Sequence, residues 1–225
     1  MASLQQGRYA LLVAGGSGLR MGAVLPKQFL PLGGRPVLMH TLERFAPLVE
    51  RIVLVLPEEQ RGYWAELCQQ HGFTLPHEVT AGGAMRFHSV AAGLSLLPEE
   101  GLVAVHDGVR PLLSAGLIEA CFEAAARAGA ALPALPVTDS LRQLHEGSSR
   151  AVDRADYVAV QTPQTFQLRQ LHAAYRQPYR PSFTDDASVW EAAGFAAPEL
   201  VPGEAQNIKL TQPLDLKLAE LLLKD

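Results

Sequence analysis

The residues best equipped for chemistry lie between Val13 and Lys27, in the run VAGGSGLRMGAVLPK. Glycines at 15, 16, 18 and 22 let backbone N–H groups approach a polyphosphate with no side chain in the way. Arg20 offers a planar fork to phosphate oxygens, and Lys27 a compact point charge. The chemistry such a loop serves is the holding of a nucleotide's phosphates. Two commoner glycine loops do not fit. No Gly-Lys-Ser/Thr ending makes a P-loop, and Met21 stands where a GxGxxG dinucleotide fingerprint built on Gly16 and Gly18 needs its third glycine.

Five further clusters carry reactive side chains. AGGAMRFHSV, from Ala81 to Val90, is a second glycine turn entering a helix, with Gly82, Gly83 and Ser89. HDGVRP, from His106 to Pro111, sets Asp107 and Arg110 just past a strand. AVDR places Arg154 in a polar segment, TDDAS places Thr184 at a helix start, and NIKLT carries Lys209. Lysine occurs only at 27, 209, 217 and 224, and asparagine only at 207, so Asn207 and Lys209 together in one pentapeptide invite a functional reading. Each cluster also has a plain structural explanation. Asp107 with Arg110 makes a local ion pair, and Arg154 with Asp153 a solvated one. Thr184 and Ser89 serve as caps, His106 as a satisfied core histidine, and Asp185 and Asp186 as acids for a helix end.

These residues need elements to hold them. Tyr9–Ala14, Arg51–Leu56 and Leu102–His106 read as buried strands, and Ala131–Val137 as a weaker one because of its two prolines. Pro36 and Pro57 stand where first-turn prolines open helices that bury Leu38, Leu42 and Phe45, then Trp64 and Leu67. Ala115–Ala128 is strongly helical in propensity. Gly72 and Gly129 are helix stops, and Gln212–Lys224 repeats leucine at helical spacing. Alternation of this kind predicts an α/β fold, a mostly parallel sheet flanked by helices on both faces, with ligands beyond the carboxyl ends of the strands. Thr138–Gln164 breaks the pattern. Its polar alternation with a turn at Glu146–Ser149 predicts a projecting β-hairpin arm.

Bulk properties bound the function. The 225 residues are 48% hydrophobic and 19% charged, enough for one buried core and one domain, residues 1–225. A net charge of −4 gives no sign of nucleic-acid binding. No apolar run reaches the roughly 20 residues that span a bilayer, and the N-terminus lacks the features of a signal peptide. Cys68 and Cys121, without a CxxC or a histidine partner, read as reduced thiols of a cytoplasmic protein.

In order, GGSGLRM, LPKQFLPLGGRPVL, AGGAMRFHSV, HDGVRP, VDR, QTPQTF, TDDAS and NIKLTQPLDL resemble the 2-C-methyl-D-erythritol 4-phosphate cytidylyltransferase family of non-mevalonate isoprenoid synthesis, from about Tyr9 to Leu222. The resemblance implies a Rossmann-like nucleotidyltransferase fold whose arm, at about 138–164, builds a homodimer with shared active sites. It implies transfer of a cytidylyl group from CTP to methylerythritol phosphate, releasing pyrophosphate, with magnesium or another divalent cation. Arg20 and Lys27 match the pair that stabilises the transition state, and Arg154 and Lys209 the pair that positions the acceptor. Asp107, Arg110, Ser140 and Thr184 match further substrate contacts. Ala14, Gly15, Gly82 and Ser89 match positions that hold cytosine and ribose, with Gly16, Gly18 and Gly83 in the same nucleotide-binding turns. No metal ligand is assigned. The chain departs from the pattern at Val13, Leu19, Ala84, Gly108–Val109 and Ser140, and Ala84 removes an acid from the nucleotide turn.

The implied nucleophile, a phosphate monoester oxygen, is already anionic at neutral pH and needs no protein base. Accordingly the chain has neither GxSxG nor HExxH. The alternatives are a cytidylyltransferase for another alditol phosphate, such as ribitol 5-phosphate, and a non-catalytic nucleotide-binding protein. Retention of Arg20, Lys27, Arg154 and Lys209 together argues against the second.

Overall fold

The structure is a computed structural model that describes residues 6–15 and 25–223. Gly16, Gly18 and Arg20 of the first glycine loop lie outside the described residues. In chain order the strands and helices are β1 (Arg8–Val13), β2 (Pro31–Leu32), β3 (Arg35–Pro36), α1 (Val37–Phe45), β4 (Arg51–Leu56), α2 (Glu58–Gln70) and β5 (Glu78–Ala81). There follow α3 (Arg86–Leu94), β6 (Leu102–Asp107), α4 (Ala115–Ala128), β7 (Ala130–Pro136), β8 (Leu141–His145) and β9 (Ser148–Val152). The chain closes with β10 (Val158–Val160), β11 (Gln164–Gln167), α5 (Leu168–Ala174), α6 (Asp186–Ala192), β12 (Glu199–Pro202) and α7 (Pro213–Leu222).

The central sheet runs β10-β7-β11-β6-β1-β4-β5, with β12 added to β7. β6, β1, β4 and β5 are mutually parallel, while β11 runs antiparallel between β6 and β7. Parallel strands buried on both faces read as continuous apolar runs, and β1 and β4 do. Side chains alternate between faces along β1. Ala10 and Leu12 enter a core with α1, α2 and α4, whereas Leu11 enters the opposite core with Val90 and Leu94 of α3 and Trp190 of α6.

Local signals account for the helix ends. Ser114 Oγ accepts a hydrogen bond from Leu117 N to open α4, and Gly129, at φ 91°, closes it in a conformation that disfavours side chains. Pro36 and Pro57 occupy the cap position, one residue before the first helical turn where the sequence reading put them.

The arm is shorter than the expected 138–164. The hairpin comprises β8 and β9 alone, closed at Glu146 and Gly147, whose positive φ values of 40° and 80° suit a tight two-residue turn. Beyond it the chain returns to the main sheet. β10 pairs with β7, and β11 is buried between β6 and β7 although it reads QTFQ. The polarity of Gln164 is satisfied from outside the sheet: its Oε1 accepts from the backbone N–H groups of Asp186 and Ala187.

Candidate active site

Beyond the carboxyl ends of β1, β4 and β6 lies a cavity of about 550 Å³. Its walls come from the segments after successive strands. Ala14 and Gly15 follow β1, Pro57 to Glu59 open α2, and Gly82 to Arg86 with Ser89 enter α3. Asp107 ends β6, with Val109 beyond it, and Lys27, Gln28 and Lys209 complete the lining.

Lys27 begins a single 3-10 turn, Lys27–Phe29, and the next side chain anchors it. Gln28 is fully buried, and its Nε2 donates to Ala14 O at 2.9 Å and to Gln60 Oε1 at 2.6 Å. The end of β1, the turn bearing Lys27 and the first turn of α2 are thereby tied together. Lys27 also acts on Asp215, near the start of α7. Partial burial opposes ionisation there, but the N–H groups of Thr211 and Gln212, the Thr211 hydroxyl and Lys27 outweigh it and lower the carboxyl.

The second glycine turn is held by Ser89. Its Oγ accepts from Gly83 N at 3.1 Å and lies 3.2 Å from Met85 O. A Cβ on Gly82 would sit 2.8 Å from that hydroxyl, so the close turn requires glycine here. Ser89 therefore shapes the turn as well as lining the cavity.

Asp107 is the electrostatic centre. Its Oδ2 is 2.9 Å from Lys209 Nζ and 3.4 Å from Arg110 Nε, and its Oδ1 is 3.9 Å from Arg86 Nε. Burial alone would raise this carboxyl, but Lys209 first, then Arg86 and Arg110, hold it well below the usual carboxylate range. The loop presenting Lys209 is braced by Asn207, whose Nδ2 donates to Thr162 O and whose carbonyl accepts from Arg110 Nη1, both at 2.8 Å. Asn207, fully buried, is a bracket for Lys209.

His106 supports the same turn from beneath. Asp107 N–H donates to Thr162 Oγ1, that hydroxyl donates to His106 Nδ1, and His106 Nε2–H donates to Arg110 O. This network assigns the Nε2–H tautomer. Complete burial pushes the imidazole pKa down to about 4, so the ring is neutral at pH 7.

Of the residues expected from sequence, Ala14, Gly15, Lys27, Gly82, Gly83, Ser89, Asp107 and Lys209 line this one cavity, and Arg110 joins it through Asp107. Arg154, Ser140 and Thr184 do not line it. Arg154 lies at the base of the arm, where it donates to Thr138 O, and it lines a separate groove of about 850 Å³ with Tyr157, Val158 and Leu200. Thr184 and Ser140 are exposed. Asp185, not Thr184, caps α6, in a reciprocal pair with Ser188. Asp186 stands in the first turn of α6, as expected of a helix-end acid, and is in addition fully buried and paired with Arg86 at 2.6 Å. Arg86 itself was missed. Its signal was an arginine at the first position of a helix, where the macrodipole disfavours a cation unless a carboxylate compensates.

Cations converging from several loops on a cavity past the carboxyl ends of a parallel sheet define a phosphate-binding site in a Rossmann-like architecture, and the family match below makes it that of a nucleotidyltransferase. The family model for 2-C-methyl-D-erythritol 4-phosphate cytidylyltransferase matches residues 9–225, and the chain belongs to that family. A relative of that name from Porphyromonas gingivalis is 58% identical over 220 residues, covering 98% of this chain and 99% of the relative. One from Bacteroides fragilis is 52% identical over 218 residues, covering 96% and 99%. Among solved structures, the 2-C-methyl-D-erythritol 4-phosphate cytidylyltransferase of Thermus thermophilus is 36% identical with a TM-score of 0.78, covering 99% of this chain and 100% of that one.

Proposed function

We propose that the protein transfers the cytidylyl group of CTP to 2-C-methyl-D-erythritol 4-phosphate, forming 4-diphosphocytidyl-2-C-methylerythritol and pyrophosphate. Family membership supports the substrates. The observation that carries the chemistry is the convergence of Lys27, Lys209 and Asp107 on one cavity. The acceptor's phosphate oxygen attacks the α-phosphorus in line, the new P–O bond forms, and the bond to pyrophosphate breaks. Two anions must meet, so catalysis is positioning plus neutralisation of charge. Lys27 and Lys209, with Arg20, supply the cations. The glycine turn at 82–85, opposite the end of β1, receives the nucleoside.

A divalent cation, magnesium by resemblance, completes the charge balance. Among the described residues no group of three or more His, Cys, Asp or Glu is placed to hold a metal. Among the described residues lining the cavity, Asp107 offers a carboxylate beside Lys209 and would contribute one ligand to an ion shared with the triphosphate. When bound, it neutralises the triphosphate.

Arg154 reaches the acceptor by subunit sharing. Tyr157, Val158 and Leu200 leave an exposed apolar rim around its groove, and an isolated hairpin arm gains order by pairing across a twofold axis. A homodimer places Arg154 of one chain beside the Lys27 and Lys209 of the other. No described helix is long and apolar enough to cross a membrane. Two free thiols fit the cytoplasm.

Pyrophosphate release from CTP, magnesium and a panel of alditol phosphates tests the assignment. Methylerythritol phosphate should be the preferred acceptor and ATP a poor donor. Preference for ribitol 5-phosphate overturns the acceptor, and no release with any acceptor overturns the reaction.

A further inference from the structure

Arg86 opens α3, against the macrodipole, and its surroundings explain why it is tolerated. Its guanidinium forks onto Asp186, with Nη1 2.8 Å from Oδ1 and Nη2 2.6 Å from Oδ2. The Tyr175 hydroxyl donates to the same Oδ1 at 2.6 Å. Asp186 is fully buried at the first position of α6, where a carboxylate suits the helix end. Gln164 fastens that end to the sheet, donating to Asp185 Oδ2 and accepting from the N–H groups of Asp186 and Ala187.

The other side of Arg86 faces the cavity. It is part of the lining, its side chain keeps 29% exposure, and its Nε is 3.9 Å from Asp107 Oδ1. Asp107 in turn holds Lys209. One line of alternating charge thus runs Asp186, Arg86, Asp107, Lys209, from the start of α6 to the loop after β12. A buried ion pair contributes little stability over an apolar replacement of like volume. Its planar fork does fix a guanidinium's position closely. The arrangement therefore serves geometry at the cavity more than it serves the core.

We propose that Arg86 is a positioning residue for cytidylyl transfer: clamped by Asp186, it shares the Asp107 carboxylate with Lys209 and so sets where the Lys209 ammonium stands. Without Arg86, the Asp107 Oδ1 loses its cationic neighbour, the carboxylate is no longer held from that side, and the ammonium seated 2.9 Å from Oδ2 loses its fixed place beside the phosphates. The defect then falls on turnover, because the Gly83 N–H to Ser89 Oγ hydrogen bond that holds the neighbouring nucleoside turn does not involve the Arg86 side chain. The proposal rests on the reaction proposed above.

The test is a double-mutant cycle on pyrophosphate release. Arg86→Lys keeps the charge but loses the fork. It should lower kcat about tenfold and leave KM for CTP within about twofold of wild type. Asp186→Asn should reproduce that split; should it fail to fold, Tyr175→Phe, which removes one hydrogen bond to the same carboxylate, should show it in milder form. In a Lys209→Ala background, Arg86→Lys should cost less than about twofold, since two residues acting through one another are not additive. Full additivity overturns the proposal, because Arg86 then acts directly on substrate or only on stability. An unchanged kcat in Arg86→Lys overturns it too. Inactive wild-type protein overturns the reaction itself, whereas active wild type with an additive cycle overturns this inference alone.

Discussion

Lys209 Nζ stands 2.9 Å from Asp107 Oδ2, joining the loop after β12 to the last residue of β6. The Lys209 side chain keeps 42% exposure while that of Asp107 keeps 12%, so the anion is the fixed partner and the cation the one open to the cavity. Arg110 reinforces the same point, binding Asp107 through Nε and the Asn207 carbonyl through Nη1. The cavity's charge is thus organised around one carboxylate.

Removing that carboxylate should have two effects. Asp107→Asn leaves Arg86, Arg110 and Lys209 crowded without their shared anion. Breaking a buried pair from one side costs about 3 kcal/mol, read as a lower midpoint in urea unfolding. Turnover should fall at least tenfold as Lys209 loses its anchor. A variant of wild-type stability and turnover would refute the central role given to Asp107.

Lys27 addresses a different quantity. If its charge acts on the α-phosphate during transfer, Lys27→Ala should lower kcat about 10²–10³-fold, or roughly 3–4 kcal/mol, with a smaller rise in KM for CTP. Lys27→Arg should also be impaired, since a planar fork does not replace a compact ammonium. Normal kcat with weakened CTP binding would contradict the role.

Much of this architecture was legible in the residues. β1, β4 and β6 announce themselves as apolar runs because they are buried on both faces. α4 carries both of its own signals, Ser114 before it and Gly129 after it. The rest depended on tertiary satisfaction that no local pattern encodes. β11 reads as polar, yet Gln164 is buried because α6 supplies its partners. Asp186 looks like an ordinary first-turn acid until Arg86, a hundred residues earlier, closes on it. Lys27, Asp107 and Lys209 were legible as candidates, but their convergence required the strand order.

His106 sets an acid limb. Its pKa is pushed down to about 4 by burial, so between about 6.5 and 4 the unfolded chain binds the proton and the folded chain does not. Stability contributed by neutral His106 is present above that window and falls as pH drops through it, by ~3 kcal/mol at the low end. His106→Gln should flatten the limb, as followed by thermal unfolding from pH 7 to 4. An unchanged slope in the variant would assign the acid sensitivity to other groups.

Subunit sharing is tested by mixing two inactive variants, Lys27→Ala and Arg154→Ala, under conditions that exchange subunits. Random pairing makes about half of the dimers mixed, and each mixed dimer has one intact site, so activity should return to roughly a quarter of wild type. Background activity with mixed dimers confirmed by mass analysis would place Arg154 within its own chain's site.

The most direct measurement of the central claim follows the bridging oxygen. Methylerythritol phosphate carrying ¹⁸O throughout its phosphate group is incubated with CTP, magnesium and enzyme, and the products are read by ³¹P NMR. Attack by the acceptor's phosphate oxygen on the α-phosphorus predicts ¹⁸O in the bridge of the new diphosphate and none in the released pyrophosphate. Label in the released anion, or release of orthophosphate in place of pyrophosphate, would contradict the reaction assigned to this cavity.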